Sequence, residues 1–106
     1  EVDEAVETVL KHNTRLVILH CVSIYPTPDA KLYLTIIRVM KQRYRPLPIG
    51  YSGHEVDYLP TLIAVSLGAH VVERHFTLDK NMKGPDHQLS LTPDEMAACI
   101  RDIRRH

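Results

Sequence analysis

Net charge, long apolar runs and dense cysteine are all missing from this sequence, and each absence narrows what the chain does. Its 13 Lys and Arg are matched by 13 Asp and Glu. No long-range positive field is therefore available to gather nucleic acid or anionic lipid, and neither is expected as a partner. The longest apolar stretch, Leu16 to Val22, contains His20 and falls far short of the roughly 20 residues that cross a bilayer. No basic segment followed by an apolar run opens the chain, which predicts no secretory signal. The two cysteines, Cys21 and Cys99, have neither metal-ligand spacing nor the density of a disulfide framework. They read as small buried hydrophobes in a reducing, cytoplasmic setting. No low-complexity stretch or internal domain boundary interrupts the sequence.

What is present is a chain of 106 residues, 44% of them hydrophobic, enough for the core of one domain. It starts at Glu1 rather than Met, which predicts a piece of something longer. Four stretches read as helix and three as strand, in alternation. Glu1 to Lys11 sets Val2, Ala5, Val6, Val9 and Leu10 on one helical stripe. Leu16 to Cys21 is a strand rich in leucine and β-branched residues, the pattern of one covered on both faces. Thr27 and Pro28 read as the cap and first residue of a helix carrying Leu32, Ile36, Val39 and Met40. Pro46 and Pro48 stop it, and Leu47 to Tyr51 is a short second strand. A helix follows from Asp57 or Tyr58, with Pro60 in its first turn and Gly68 as its C-terminal glycine. It is apolar on most sides and needs cover from several neighbours. His70 to Phe76 is the third strand. Thr92-Pro93-Asp94-Glu95 is a capping box that opens a last helix with Met96, Ile100 and Ile103 inward.

This alternation predicts parallel βα units. Three apolar strands make a poor sheet on their own, so the fold class expected is α/β, as a slice of an open doubly covered sheet or of a (β/α)8 barrel. In both folds the site forms where strands end at their carboxyl edge. Polar residues collect at those ends: His20, Ser23 and Tyr25; then Tyr51, Ser52, His54 and Glu55; then Glu73, His75, Asp79, Asp86 and His87. Glu73 and His75 are two apart on a strand and share a face with Val71, leaving Val72, Arg74 and Phe76 on the other. A carboxylate pointing inward needs a partner, a metal or a substrate, or else belongs to a structural Glu–His or Glu–Arg pair. His54 and His75 are placed to face each other across neighbouring strand ends. They suit Mn²⁺, Fe²⁺ or Zn²⁺ acting as a Lewis acid, or are two hydrogen-bonded loop histidines without metal. The segment Tyr51 to Glu55 reads as a phosphate or carboxylate site at a helix entrance, or as an ordinary loop. The long segment after the third strand, with Gly84-Pro85-Asp86-His87 setting its geometry, belongs to a class of loops that are functional or disordered. His20 lines the site or is a core histidine. His12, His70 and His106 carry no argument.

Five motifs in order are specific. His20-Cys21-Val22-Ser23-Ile24-Tyr25-Pro26-Thr27-Pro28, Pro48-Ile49-Gly50-Tyr51-Ser52-Gly53-His54-Glu55, Leu67-Gly68-Ala69, Val72-Glu73-Arg74-His75-Phe76-Thr77-Leu78-Asp79 and Gly84-Pro85-Asp86-His87 closely resemble the sialic acid synthase family. That family includes N-acetylneuraminate synthase and its legionaminate and pseudaminate relatives. The resemblance implies a partial TIM barrel, its last three βα units, with residues 1–106 as a C-terminal fragment of the synthase domain and no antifreeze-like domain. It implies condensation of phosphoenolpyruvate with the aldehyde of an N-acetylated amino sugar, giving a nine-carbon 2-keto sugar acid and phosphate. By resemblance, His54 and His75 match the ligands of a divalent metal, Mn²⁺ with Mg²⁺ or Co²⁺ as alternatives. Ser52 and Ser23 match positions that contact phosphoenolpyruvate, and Tyr25, Glu73 and Asp86 match residues lining the amino-sugar site. Glu73 and Asp86 also stand as catalytic candidates, neither of them as sole acid or base. The full-length protein is expected to be a homodimer. The phosphate-binding lysines of the family fall upstream, so the isolated piece is expected to be inactive. Gly53 stands where many members carry Asp. Two other readings stay open at this point: a non-catalytic fragment that only packs on a partner, and an unrelated metal-dependent α/β enzyme.

Overall fold

In a computed structural model, residues 1–105 are described and His106 lies outside them. The order is α1 (Val2–Leu10), β1 (Ile18–Cys21), α2 (Ile36–Arg43), β2 (Ile49–Gly53), α3 (Leu59–Ser66), β3 (Val71–Arg74) and α4 (Pro93–Arg105), with one 3-10 turn at Asp29–Lys31. The strands form one parallel sheet in sequence order, β1 beside β2 beside β3. Ile18 pairs with Ile49 and Cys21 with Ser52; across the other seam Gly50 pairs with Val71 and Ser52 with Glu73. All three strands therefore run their carboxyl ends to the same edge, which is where βα units build sites.

One face of the sheet carries the core. Ile37 of α2 and Ala64 of α3 pack with Ile49, Tyr51 and Ala69, and Ile18, Leu34, Met40, Tyr44 and Leu67 close around them. Ile37, Ile49 and Ala64 have no exposed surface. Burying a side chain the size of isoleucine stabilises by about 1.5–3 kcal/mol, so this layer holds the helices onto the strands. β2 is buried along its whole length; β3 alternates between exposed and half-buried positions, and β1, expected to be covered on both faces, runs from half-buried Ile18 and Leu19 through buried His20 to exposed Cys21. Leu59 and Ile63 on the outer side of α3 are exposed, as is Val39 on α2. α1 is tied to α2 through Asp3, which accepts hydrogen bonds from the Arg43 guanidinium and, at 2.7 Å, from the Tyr44 hydroxyl. Those bonds hold the Asp3 carboxyl well below the usual range.

Several local expectations give way. No helix starts at Pro28, because Thr27 spends its hydroxyl on the Ile24 carbonyl at 2.6 Å instead of capping. The chain leaves Pro28 extended, and Tyr33 sits at a φ of 49°, so α2 begins only at Ile36. Cys99 is buried as expected and its thiol is pushed up by burial, but Cys21 is exposed. In α4 it is Cys99 rather than Ile100 that faces inward; Ile100 is 41% exposed. The capping box forms: the Glu95 N–H donates to Thr92 Oγ1 at 3.4 Å and the Thr92 N–H to Glu95 Oε1 at 3.4 Å. Gly68 has a φ of 107°, the left-handed geometry of a helix C-terminus. Among the described residues, no helix is long and apolar enough to cross a membrane.

Candidate functional site

The carboxyl ends of β2 and β3 each deliver a histidine into the next loop, His54 directly after Gly53 and His75 directly after Arg74. Their ring centroids are 5.2 Å apart with planes at 72°. Tyr25, from the loop after β1, covers both: its ring lies 4.4 Å from that of His54 and 6.2 Å from that of His75. That loop is pinned in place by backbone, since the Thr27 N–H donates to the His54 carbonyl at 2.9 Å. Three successive βα units thus contribute one aromatic ring each.

His54 is buried, and its Nδ1 lies 2.9 Å from the Val22 carbonyl. A carbonyl only accepts, so Nδ1 carries the hydrogen and the Nε2 lone pair of the neutral ring is left free. Orienting a ring through one nitrogen to present the other is how proteins prepare metal-ligating histidines. The Cys21 sulfur sits 3.9 Å from the same Nδ1. His75 turns its Nδ1 toward Asp86 Oδ2 at 3.7 Å, too long for a direct hydrogen bond. A ring nitrogen binds a divalent ion at about 2.1 Å, which puts the ion about 3.2 Å from the ring centroid. Two rings on one ion at angles of about 90–110° would then have centroids roughly 4.5–5.3 Å apart. The observed separation falls in that interval, so the spacing of the two rings is compatible with a shared cation. Among the described residues no third His, Cys, Asp or Glu completes a protein ligand group. Water and substrate would have to supply the remaining positions.

Beside the histidines, Ser52 and Glu73 are register partners on adjacent strands, and Ser52 Oγ donates to Glu73 Oε1 at 2.8 Å. The partner of the Glu73 carboxylate is therefore a hydroxyl, not the His or Arg of a structural pair. No hydrogen bond to its second oxygen is found among the described residues, and Glu73 is exposed. Asp86 is also exposed, on the long loop, while Ser90 Oγ bonds its carbonyl. That loop returns to the sheet where the Leu91 N–H donates to the His75 carbonyl at 2.8 Å and the Thr77 N–H to the Leu91 carbonyl at 3.0 Å. Ser23 is exposed in the loop after β1. His54, His75, Tyr25, Ser52, Glu73 and Asp86 are brought to one edge.

Other strand-end residues leave the site. His20 is a core histidine, its Nε2 donating to the Leu32 carbonyl at 2.7 Å. His87 bonds Thr77 Oγ1 at 2.7 Å, and Asp79 accepts from the Asn81 N–H at 2.8 Å. Tyr51 and Glu55 do not form an anion-binding entrance, because both are buried on the helix side of the sheet. Tyr51 donates to Glu55 Oε2 at 2.8 Å and Thr61 to Glu55 Oε1 at 2.8 Å. Burial, and the Glu55 carboxylate next, push the Tyr51 phenol up, so it remains a donor. The cation of this group is Arg74, 3.1 Å from Glu55 Oε1, the two side chains 1% and 2% exposed. An ion pair between Glu55 and Arg74 was not anticipated. The signal lay in Arg74 facing away from Glu73 under a helix, where a cation requires a buried acid.

Residues 1–106 match a family model described as the NeuB family. The N-acetylneuraminate-9-phosphate synthase of Drosophila melanogaster is 49% identical over 86 residues, covering 81% of this chain and 23% of its own length. The N,N'-diacetyllegionaminic acid synthase of Campylobacter jejuni is 40% identical over 108 residues, covering 99% of this chain and 32% of its own length. Among solved structures, the N-acetylneuraminic acid (sialic acid) synthetase of Leptospira borgpetersenii superposes with a TM-score of 0.93 at 35% identity, over 98% of this chain and 36% of that one. The chain thus spans a third or less of the length of the curated relatives named here.

Proposed function

The chain belongs to the NeuB family, and from that premise we propose that it supplies the last three βα units of a (β/α)8 synthase barrel. On this reading residues 1–106 are a C-terminal part of the catalytic domain, and the family's antifreeze-like domain falls outside them. The reaction proposed is condensation of phosphoenolpyruvate with the open-chain aldehyde of an N-acetylated amino sugar. C3 of the enol phosphate forms a bond to the aldehyde carbon, water adds at C2, and phosphate leaves. The product is a nine-carbon 2-keto sugar acid. What supports the reading is the meeting of two imidazoles at the carboxyl edge, 5.2 Å apart, beside a carboxylate with a free oxygen.

A divalent cation, Mn²⁺ in the first place, would be held by His54 and His75 and would supply Lewis-acid polarisation of the aldehyde oxygen, where negative charge develops. The residues of the chain do the rest. The Val22 carbonyl fixes the tautomer of His54, so that the lone pair is on Nε2. Ser52 holds Glu73 through one oxygen and leaves the other to accept a sugar hydroxyl. Asp86, on the loop that closes over His75, is placed to accept another and to take or return a proton at an oxygen of the substrate. Ser23 is the candidate hydroxyl donor to phosphoenolpyruvate; Ser52, whose one hydroxyl hydrogen goes to Glu73, would contact it by exchanging that partner. Tyr25 covers the two rings and limits water on that side.

The test uses the full-length protein. His75→Ala is expected to abolish phosphate release from phosphoenolpyruvate with N-acetylated amino sugars while leaving the circular dichroism spectrum unchanged. Turnover that survives the substitution would remove His75 from the mechanism. A wild-type protein that binds Mn²⁺ but releases no phosphate with any such sugar would overturn the synthase reading.

A further inference from the structure

We infer that the buried Glu55–Arg74 pair is a positioning device that sets the two imidazoles relative to each other, a role that rests on the metal reading above. Adjacency in sequence is the starting point. Glu55 follows His54 and Arg74 precedes His75, so the ion pair bridges β2 and β3 one residue away from each ring. The guanidinium does more than pair. Its Nη1 reaches Glu55 Oε1 at 3.1 Å, the Asp57 carbonyl at 2.8 Å and Thr61 Oγ1 at 3.1 Å. Its Nη2 reaches the Glu55 carbonyl at 2.6 Å and the Leu89 carbonyl at 3.2 Å. One rigid fork therefore ties together the loop that carries His54, the start of α3, and the loop that carries Asp86.

Stability alone is a poor reason for such a pair. Well-packed apolar residues hold a core as well as a buried ion pair or better, because two charges must be stripped of water. Here the arrangement also leaves Arg74 Nε buried with no hydrogen-bond partner among the described residues. What apolar residues cannot supply is direction, and a planar fork with fixed donor angles does. Gly53 points the same way. A Cβ there would lie 2.5 Å from Glu55 Oε2, 2.8 Å from Tyr51 Cε2 and 2.9 Å from Arg74 Cδ. Its φ is outside the left-handed region, so the missing side chain leaves room for the pair rather than permitting a turn.

The experiment measures Mn²⁺ affinity of the metal-free full-length protein by electron paramagnetic resonance of the free ion, with thermal unfolding of the same samples. Glu55→Ala and Arg74→Lys are expected to weaken binding by about tenfold or more, the range seen when supporting groups around metal ligands are lost. The conservative variant Glu55→Gln, which keeps the side-chain oxygen that Arg74 Nη1 reaches, is expected to recover most of that loss. A folded Glu55→Ala or Arg74→Lys protein with a lowered melting temperature and native Mn²⁺ affinity would reduce the pair to a structural role. Where neither Glu55→Ala nor Arg74→Lys folds, Glu55→Gln decides: Mn²⁺ binding near the native level supports the inference, and a folded Glu55→Gln protein without it overturns it. Failure of the wild-type protein to bind Mn²⁺ would instead bring down the metal reading, and this inference with it.

Discussion

Replacing Gly50 by alanine adds one carbon to the middle of the central strand. That carbon would sit 2.5 Å from the Val71 carbonyl oxygen and 3.1 Å from Val71 Cβ, with the end of the Leu19 side chain also in the way. Leu19 can rotate aside. The Val71 carbonyl cannot, because it is backbone of the neighbouring strand in register with Gly50. Relief therefore requires opening the seam between β2 and β3. Overpacking of this kind costs about 1–3 kcal/mol. An alanine also restricts the unfolded chain, which favours the variant by about 0.4–1 kcal/mol wherever the backbone accepts it, as it does here. The two effects differ in sign, so the measurement discriminates between them. The steric effect is expected to win, leaving a net loss of about 1–2 kcal/mol in denaturant titration. For a domain of about 150–250 residues that would be a drop of about 2–8 °C in melting temperature. The seam also carries the Ser52–Glu73 bond and the facing histidines, so Mn²⁺ affinity should fall with stability. A Gly50→Ala protein as stable as the wild type, or more so, would refute the close approach of the strands.

Two further outcomes follow from the hydrogen-bonded groups. Burial opposes ionisation of Glu95, but the Lys80 ammonium at 3.0 Å together with the Thr92 hydroxyl and N–H holds its carboxyl below the ordinary 4.5. The folded state then binds fewer protons than the unfolded one below pH 4.5, so the stabilisation is present above that pH and is lost as pH falls through the folded value. The stability gap between wild type and Glu95→Gln should accordingly narrow from pH 7 to pH 3; a constant gap would show that the charge contributes nothing. Tyr51→Phe removes a buried donor from Glu55 at no change of shape. It should cost about 1–3 kcal/mol in urea titration, since the carboxylate oxygen is left without its partner; a neutral effect would mean that water or another donor replaces the phenol.

Local signals in the sequence were legible wherever the chemistry is local. The capping box at Thr92 and Glu95 and the glycine ending α3 depend on near neighbours and form as expected; the three strands form too, but β2 lies two residues further along than expected, at Ile49–Gly53, and β3 is shorter, at Val71–Arg74. The start of α2 was not legible, because Thr27 had two local uses, cap or loop bond, and only the contact of its N–H with the distant His54 carbonyl separates them. Cys21 and Cys99 looked alike in sequence, yet Cys99 lies under a helix and Cys21 at the sheet edge. The facing of His54 and His75 was readable, since both follow parallel strands directly. Tyr51 and Glu55 were grouped with the site on position along the chain alone. Strand alternation puts Tyr51 on the face opposite Ser52, and the buried partner of Glu55 lies 19 residues further on.

The claim on which the account depends is that His54 and His75 hold one cation between them. Electron spin-echo modulation of Mn²⁺ bound to the full-length protein counts the nitrogens that coordinate the ion. The account predicts coupling to two imidazole nitrogens in the wild type and to one in each of His54→Gln and His75→Gln. Bound Mn²⁺ with no nitrogen coupling, or coupling unchanged in both variants, would contradict it.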